Sequence, residues 1–119
     1  MKRLVEIRSY QLKSGTRQGF HEAMESAAIP LVRRAGMDVV AFGPSAHDPN
    51  AYFLVRAYKD LTDLQGQQGS FYGSEAWLQG PSEFLISRIE HCLNTVLWLS
   101  ENSIQDMRAS NVFAIEQAT

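Results

Sequence analysis

A single cysteine, Cys92, stands among 119 residues, so neither an intrachain disulfide nor a cysteine zinc cage can form. No apolar run approaches the ~20 residues that a bilayer-spanning helix needs. The opening MKRLVEIRSY lacks the long apolar segment of a secretion signal. The expectation is a small, soluble, cytoplasmic domain. Charge of one sign is scarce as well. Eleven Lys and Arg face thirteen Asp and Glu, a net charge of −2, which argues against nucleic acid as a partner. Low-complexity tracts and solenoid repeats are missing. The glycines build no G-x-G-x-x-G phosphate loop, and no serine sits in a G-x-S-x-G elbow. His21, His47 and His91 have no metal-ligand spacing and the acids are not clustered, so neither a metal nor a haem or other cofactor is expected. What is present suits one packed domain: 45% hydrophobic and 20% charged residues.

The pattern along the chain gives an element order. Lys2–Leu12 carries Val5, Ile7, Tyr10 and Leu12 between charges and reads as a strand. Phe20, Met24, Ala27, Ala28, Leu31 and Ala35 recur at helical spacing, with Thr16 as N-cap, Gly36 past the C-terminus and Pro30 placed to kink or divide the helix. Asp38–Gly43 and Ala51–Tyr58 are strands joined by a polar turn, and together suggest a hairpin. A second helix starts near Asp60, weakened by Gly66 and Gly69. Pro81 fits the first turn of a third helix whose buried stripe is Leu85, Ile86, Ile89, Cys92 and Leu93. That stripe makes Cys92 an inert core thiol and leaves His91 on the polar side. Asn94–Leu99 closes the pattern as a strand.

Strand, helix, strand, strand, helix, strand is the ferredoxin-like β-α-β-β-α-β unit: an α+β fold, a four-stranded antiparallel or mixed sheet with helices on one face. Its usual order puts the first and third strands together in the centre. Alternation assigns Val5, Ile7, Ser9, Phe53, Val55 and Ala57 to the face under the helices. The opposite face then holds Glu6, Arg8, Tyr10 and Leu12 beside Tyr52, Leu54, Arg56 and Tyr58. Such a patch calls for a cover, and the simplest cover is the same face of a second copy, a homodimer. The domain is expected over residues 1–100. Residues 101–119 form a tail that frays, becomes a short helix or docks on the partner subunit, or else covers the open face itself.

Several residues on this frame carry chemistry. Glu6 and Arg8 share a face at i, i+2, and Arg56 falls on the neighbouring strand. Two arginines against one glutamate leave guanidinium capacity for an anionic small molecule. The same set equally makes a salt-bridge network across the dimer. Tyr10 lies on that face. His21 stands four residues before Glu25, where the two can pair, either beside a pocket or as a half-exposed flank. His47, next to Asp48, is a pocket histidine or simply part of an Asp- and Pro-rich turn. Phe71, Tyr72, Trp77 and Phe84 cap one end of the core or wall a pocket for a planar or apolar ligand.

Three segments, VEIRSYQLKSGT, AFGPSAHDPNAYFLVRAYKDL and FYGSEAWLQGP, resemble the NIPSNAP family over most of residues 3–99. Glu6-x-Arg8-x-Tyr10 and Trp77 are the telling parts. The resemblance implies a dimeric α+β barrel. The wider superfamily takes in cofactor-independent monooxygenases, haem enzymes, lactone isomerases and ligand-sensing domains, so fold alone selects no activity. Two expectations follow: a small-molecule enzyme of the cofactor-free oxygenase or isomerase type acting on an anionic or aromatic metabolite, or a non-catalytic ligand-binding or protein-interaction module.

Overall fold

The structure, a computed structural model, describes residues 1–113. Strand β1 (Lys2–Leu12) runs into α1 (Arg17–Ala23), a π-helical turn (Met24–Ala28) and α2 (Ile29–Arg34). These three form one helical rod. Its wide turn closes through Ile29 N–H to Met24 O, directly before Pro30, which has no N–H to donate. The expected division of the helix therefore takes the form of a π segment. Gly36, at φ +88°, ends the rod in the left-handed conformation that glycine tolerates. Strands β2 (Asp38–Pro44) and β3 (Ala51–Tyr58) form the hairpin. Helix α3 (Leu61–Tyr72) follows, with the Asp60 carboxylate accepting from Asp63 N–H at 2.8 Å as its N-cap. Short helices α4 (Glu75–Leu78) and α5 (Ser82–Ile86) lead to β4 (Ile89–Ser100) and α6 (Glu101–Ala109).

All pairings are antiparallel, in the order β2-β3-β1-β4. The ferredoxin-like α+β unit and its central β1–β3 pair stand as expected. The end of the second half does not. The stretch read as a long helix from Pro81 stops at Ile86, and β4 begins at Ile89. Ile89 pairs with Leu12, so β4 matches β1 over its whole length. Cys92 is accordingly exposed on an edge strand, not buried in a helix, and His91 lies on that strand too.

The two sheet faces are also the reverse of the expectation. Tyr10, Leu12, Tyr52, Leu54 and Tyr58 pack against Phe20, Met24, Ile29 and Leu64 under the helices. The face of Val5, Val55 and Ala57 is covered instead by Ile104 of α6, with Met107 beside it. Size explains the choice. The tyrosines fill the wide space up to the helices, whereas one short helix fits against Val and Ala. The patch that called for a second copy is thus covered by the chain's own helices. Helix α6 is fastened by charge. Asp38 accepts from Arg3 Nη1 at 2.8 Å and from Arg108 Nη1 at 3.0 Å, and Arg3 Nη2 reaches Glu101 at 2.8 Å. Of the tail, residues 114–119, Ile115 included, lie outside the described residues.

Candidate functional site

Glu6 on β1 and Arg56 on β3 stand directly opposite in the β-ladder, and α3 passes over them. Gln68 and Tyr72, one helical turn apart, point from α3 to the sheet. Arg56 Nη2 donates to Glu6 Oε1 at 2.9 Å, Gln68 Nε2 to Glu6 Oε2 at 2.8 Å, and Arg8 Nη2 to the same oxygen at 3.3 Å. Tyr72 Oη accepts from both guanidinium groups, at 2.9 Å from Arg56 Nη1 and 3.1 Å from Arg8 Nη1. Gln68 Nε2 also reaches Tyr58 Oη at 3.1 Å, while Gln68 Oε1 accepts from Arg8 Nη2 at 3.3 Å. Arg56 is 0% exposed and Glu6 1%.

Electrostatics in this cluster are unbalanced. Burial alone would raise the Glu6 carboxyl, but Arg56, Gln68 and Arg8 together hold it below its usual range. Burial also opposes charge on Arg8 and Arg56, and the surrounding phenols and Glu6 keep both protonated. The Tyr10 phenol is pushed well above its ordinary value by burial. One carboxylate against two guanidinium groups leaves a surplus positive charge. Arg8 Nε and Arg56 Nε are buried with no hydrogen-bond partner among the described residues, so donors outnumber acceptors.

A cavity of about 410 Å³ opens beside this cluster, between the sheet and the helices. Arg8, Tyr10 and Tyr72 lie at its charged end. Met24 and Ala28 from the π turn and Ile29 line its helical wall, and Leu85, Ile86 and Ile89 its far side. The π turn thus shapes the wall: Pro30 sets the local geometry, and Met24 and Ala28 present it to the cavity. Trp77 joins the lining and packs on Phe71 and Tyr72, with centroids 5.4 and 5.3 Å away.

Glu6, Arg8, Tyr10, Arg56, Tyr72 and Trp77 therefore meet around one cavity or directly behind it. His21 does not line it. Its Nε2 lies 3.1 Å from Glu25 Oε1, the pairing read from their spacing, and its Nδ1 lies 2.6 Å from Tyr52 Oη. His47, in the hairpin turn with Nδ1 2.7 Å from Ser45 Oγ, lines instead a smaller cavity of about 130 Å³ with Tyr10 and His91. Asp48 there accepts from Asn50 N–H at 2.8 Å, as turn chemistry requires. Phe84 leaves the aromatic cluster and stacks under Arg88, 3.5 Å from its guanidinium carbon. Gln68 and Tyr58 were missed as site residues. The available signal was a glutamine inside the apolar stripe of α3, a polar group that must find a buried partner. No group of three or more His, Cys, Asp or Glu among the described residues could hold a metal.

The NIPSNAP family model matches residues 5–103. The chain belongs to the NIPSNAP family. Solved NIPSNAP structures share its fold. One from Burkholderia xenovorans is 16% identical with a TM-score of 0.73, covering 82% of this chain and 95% of that one. One from Agrobacterium tumefaciens strain C58 is 18% identical with a TM-score of 0.76, covering 86% and 90%. A candidate antibiotic biosynthesis monooxygenase from Nitrosomonas europaea is 20% identical with a TM-score of 0.59, covering 79% and 95%. At these identities the likeness is one of fold. No curated protein matches. No helix of the described residues is long and apolar enough to cross a membrane.

Proposed function

We propose that this NIPSNAP domain binds a small anionic or aromatic metabolite in the cavity between sheet and helices, anchored by Arg8. The observation that carries this reading is the surplus buried guanidinium charge at one end of an otherwise apolar cavity. A buried unpaired charge is costly, and an anion placed there would offset the cost. The size and lining are those of small-molecule sites. A cofactor-free oxygenase or isomerase is the enzymatic form of this proposal, in line with the fold shared with the Nitrosomonas europaea protein. The second reading, a non-catalytic binding module, is favoured by one observation: both Glu6 oxygens are occupied by Arg56, Arg8 and Gln68, which leaves this carboxylate poorly placed as a base.

Binding of a panel of aromatic and aliphatic acids, followed by Trp fluorescence, tests the site. Saturable binding lost in Arg8→Gln supports it, and binding indifferent to that change sinks it. Conversion of a bound acid, with or without oxygen uptake, separates enzyme from binding module.

The working unit proposed is a homodimer joined through β4. This edge strand exposes Leu93 (74%) and Trp98 (53%), and its outer edge is unpaired among the described residues, a surface that solitary domains avoid. Native mass spectrometry should give twice the chain mass, falling to a single mass in Leu93→Ser/Trp98→Ser. A wild-type monomer at micromolar concentration would refute the dimer. The free, exposed Cys92 suits a reducing, cytoplasmic setting.

A further inference from the structure

We infer that the ligand of this cavity is a linear aliphatic carboxylate, its head on Arg8 and its chain leading out between Leu78 and Ile86; this rests on the small-anion reading above and narrows it to one chemical class. Three features of the cavity carry the narrowing.

The first is the character of the wall. Apart from Phe20, the wall formed by the helical rod and α5 is aliphatic, with Met24, Ala28, Ile29, Val32 and Leu85, and Ile89 of β4 continues it. Flexible and branched side chains of this kind close around a bending chain, whereas a flat ring is better held between parallel rings. The aromatic residues gather at the charged end, where Tyr72 is already engaged edge-on with Phe71 and Trp77.

The second is polarity along the cavity. The charged and phenolic groups meet at one end, where Arg8 joins Tyr72 and Glu6, and Ser82 of α5 also lines the cavity. Arg8 lines the cavity and keeps 16% of its side chain exposed, and a guanidinium group binds carboxylate through two adjacent donors. At the other end, Leu78 and Ile86 line the cavity while remaining 58% and 57% exposed. An apolar collar at an open mouth, facing a charged floor, matches a molecule that is charged at one end and apolar along its length.

The third is size. At about 30 Å³ for each water-sized group, the 410 Å³ cavity takes about fourteen such groups. That is a medium-length chain with its carboxylate.

The test is a binding series on the full chain with hexanoate, octanoate, decanoate and dodecanoate, with benzoate and decanol for comparison. Burying one methylene contributes about 0.8 kcal/mol, so affinity should rise about fourfold per added carbon until the chain passes the mouth. Decanoate should exceed benzoate. Arg8→Gln should weaken decanoate about tenfold or more while leaving decanol unchanged. Ile86→Asp, at an exposed position that does not threaten folding, should weaken dodecanoate and leave hexanoate alone. If Arg8→Gln does not fold, the chain-length series and Ile86→Asp still decide the matter. Benzoate binding through Arg8, with no gain from chain length, overturns the aliphatic assignment and leaves the anion site standing. No acid binding at all, or decanol binding as well as decanoate, overturns both.

Discussion

Tyr72 Oη accepts from Arg56 Nη1 at 2.9 Å, which ties helix α3 to the most deeply buried charge of the sheet. The same oxygen accepts from Arg8, so one phenol serves two guanidinium groups on neighbouring strands. Removing the hydroxyl in Tyr72→Phe keeps the ring against Phe71 and Trp77 but orphans two donors. Leaving one buried donor unsatisfied costs about 1–3 kcal/mol. With two donors orphaned, equilibrium urea unfolding should show Tyr72→Phe destabilised by about 2–6 kcal/mol. An unchanged midpoint would mean that solvent already serves those donors.

Glu6 sets the pH dependence of the cluster. Its carboxyl is held below the usual range in the folded chain, so the unfolded chain takes up protons first as pH falls. Its contribution to stability is therefore complete above the ordinary carboxylate pKa of about 4.3. It is lost as pH drops through the lower folded value. Asp38, whose carboxyl Arg108 and Arg3 hold down against the opposing effect of burial, acts in the same direction. At pH 7, Glu6→Gln leaves Arg8 and Arg56 facing each other without a carboxylate and should cost about 3–5 kcal/mol. The gap to wild type should narrow steadily below about pH 4, because the protonated Glu6 then resembles the glutamine. A gap independent of pH, measured by urea midpoints from pH 7 to pH 3, would show that charge is not what Glu6 supplies.

The sheet order was legible because the β-α-β-β-α-β succession carries a usual strand order, and the Glu6–Arg8 pair because i, i+2 spacing puts both on one face; Arg56 joins them once β1 and β3 are neighbours. Which face met the helices was not. In AYFLVRAY both alternating sets are largely apolar, so hydrophobicity cannot choose between them. The choice falls to volume, with Tyr52, Leu54 and Tyr58 reaching up to the helices and Val55 and Ala57 leaving room for Ile104. The start of β4 was hidden for a related reason. Leu85, Ile86, Ile89, Cys92 and Leu93 fit a helical period, and only pairing with the full length of β1 makes residues from Ile89 onward a strand. Gln68 was visible as a residue of α3, but its partners Glu6 and Tyr58 lie some 62 and 10 positions away, a link that local pattern does not contain.

Helix α6 should prove integral to the domain. Ile104 is fully buried against Val5, Val40 and Val55. Ile104→Ala opens a cavity there and should cost about 2–5 kcal/mol. Asp38→Asn removes the anion shared by Arg3 and Arg108 at a half-exposed position and should cost less, about 1 kcal/mol. Thermal unfolding of the two variants ranks them. If Asp38→Asn proves the worse, charge and not packing holds α6 in place.

Two glycine-to-alanine changes should move stability in opposite directions. Gly43 has φ +152°, a conformation that residues with a Cβ rarely adopt, and a Cβ there would lie 2.9 Å from Phe113. The contact matters because residues 111–113 are laid along the outer edge of β2. Asn111 Nδ2 donates to Phe42 O at 3.1 Å, and Phe113 packs edge-on against His21 at 4.5 Å. Gly43→Ala should therefore both strain the strand and push Phe113 out, a loss of about 1–3 kcal/mol. Gly66 lies inside α3 with open space around its Cα, so alanine there removes only the entropic cost of a helical glycine and should stabilise by about 1 kcal/mol. Urea midpoints for both variants check the pair. Deleting the residues after Ala109 from Gly43→Ala isolates the backbone strain, since with Phe113 gone the penalty should shrink but not vanish. A penalty that disappears entirely would assign the whole effect to the Phe113 contact and none to the strand.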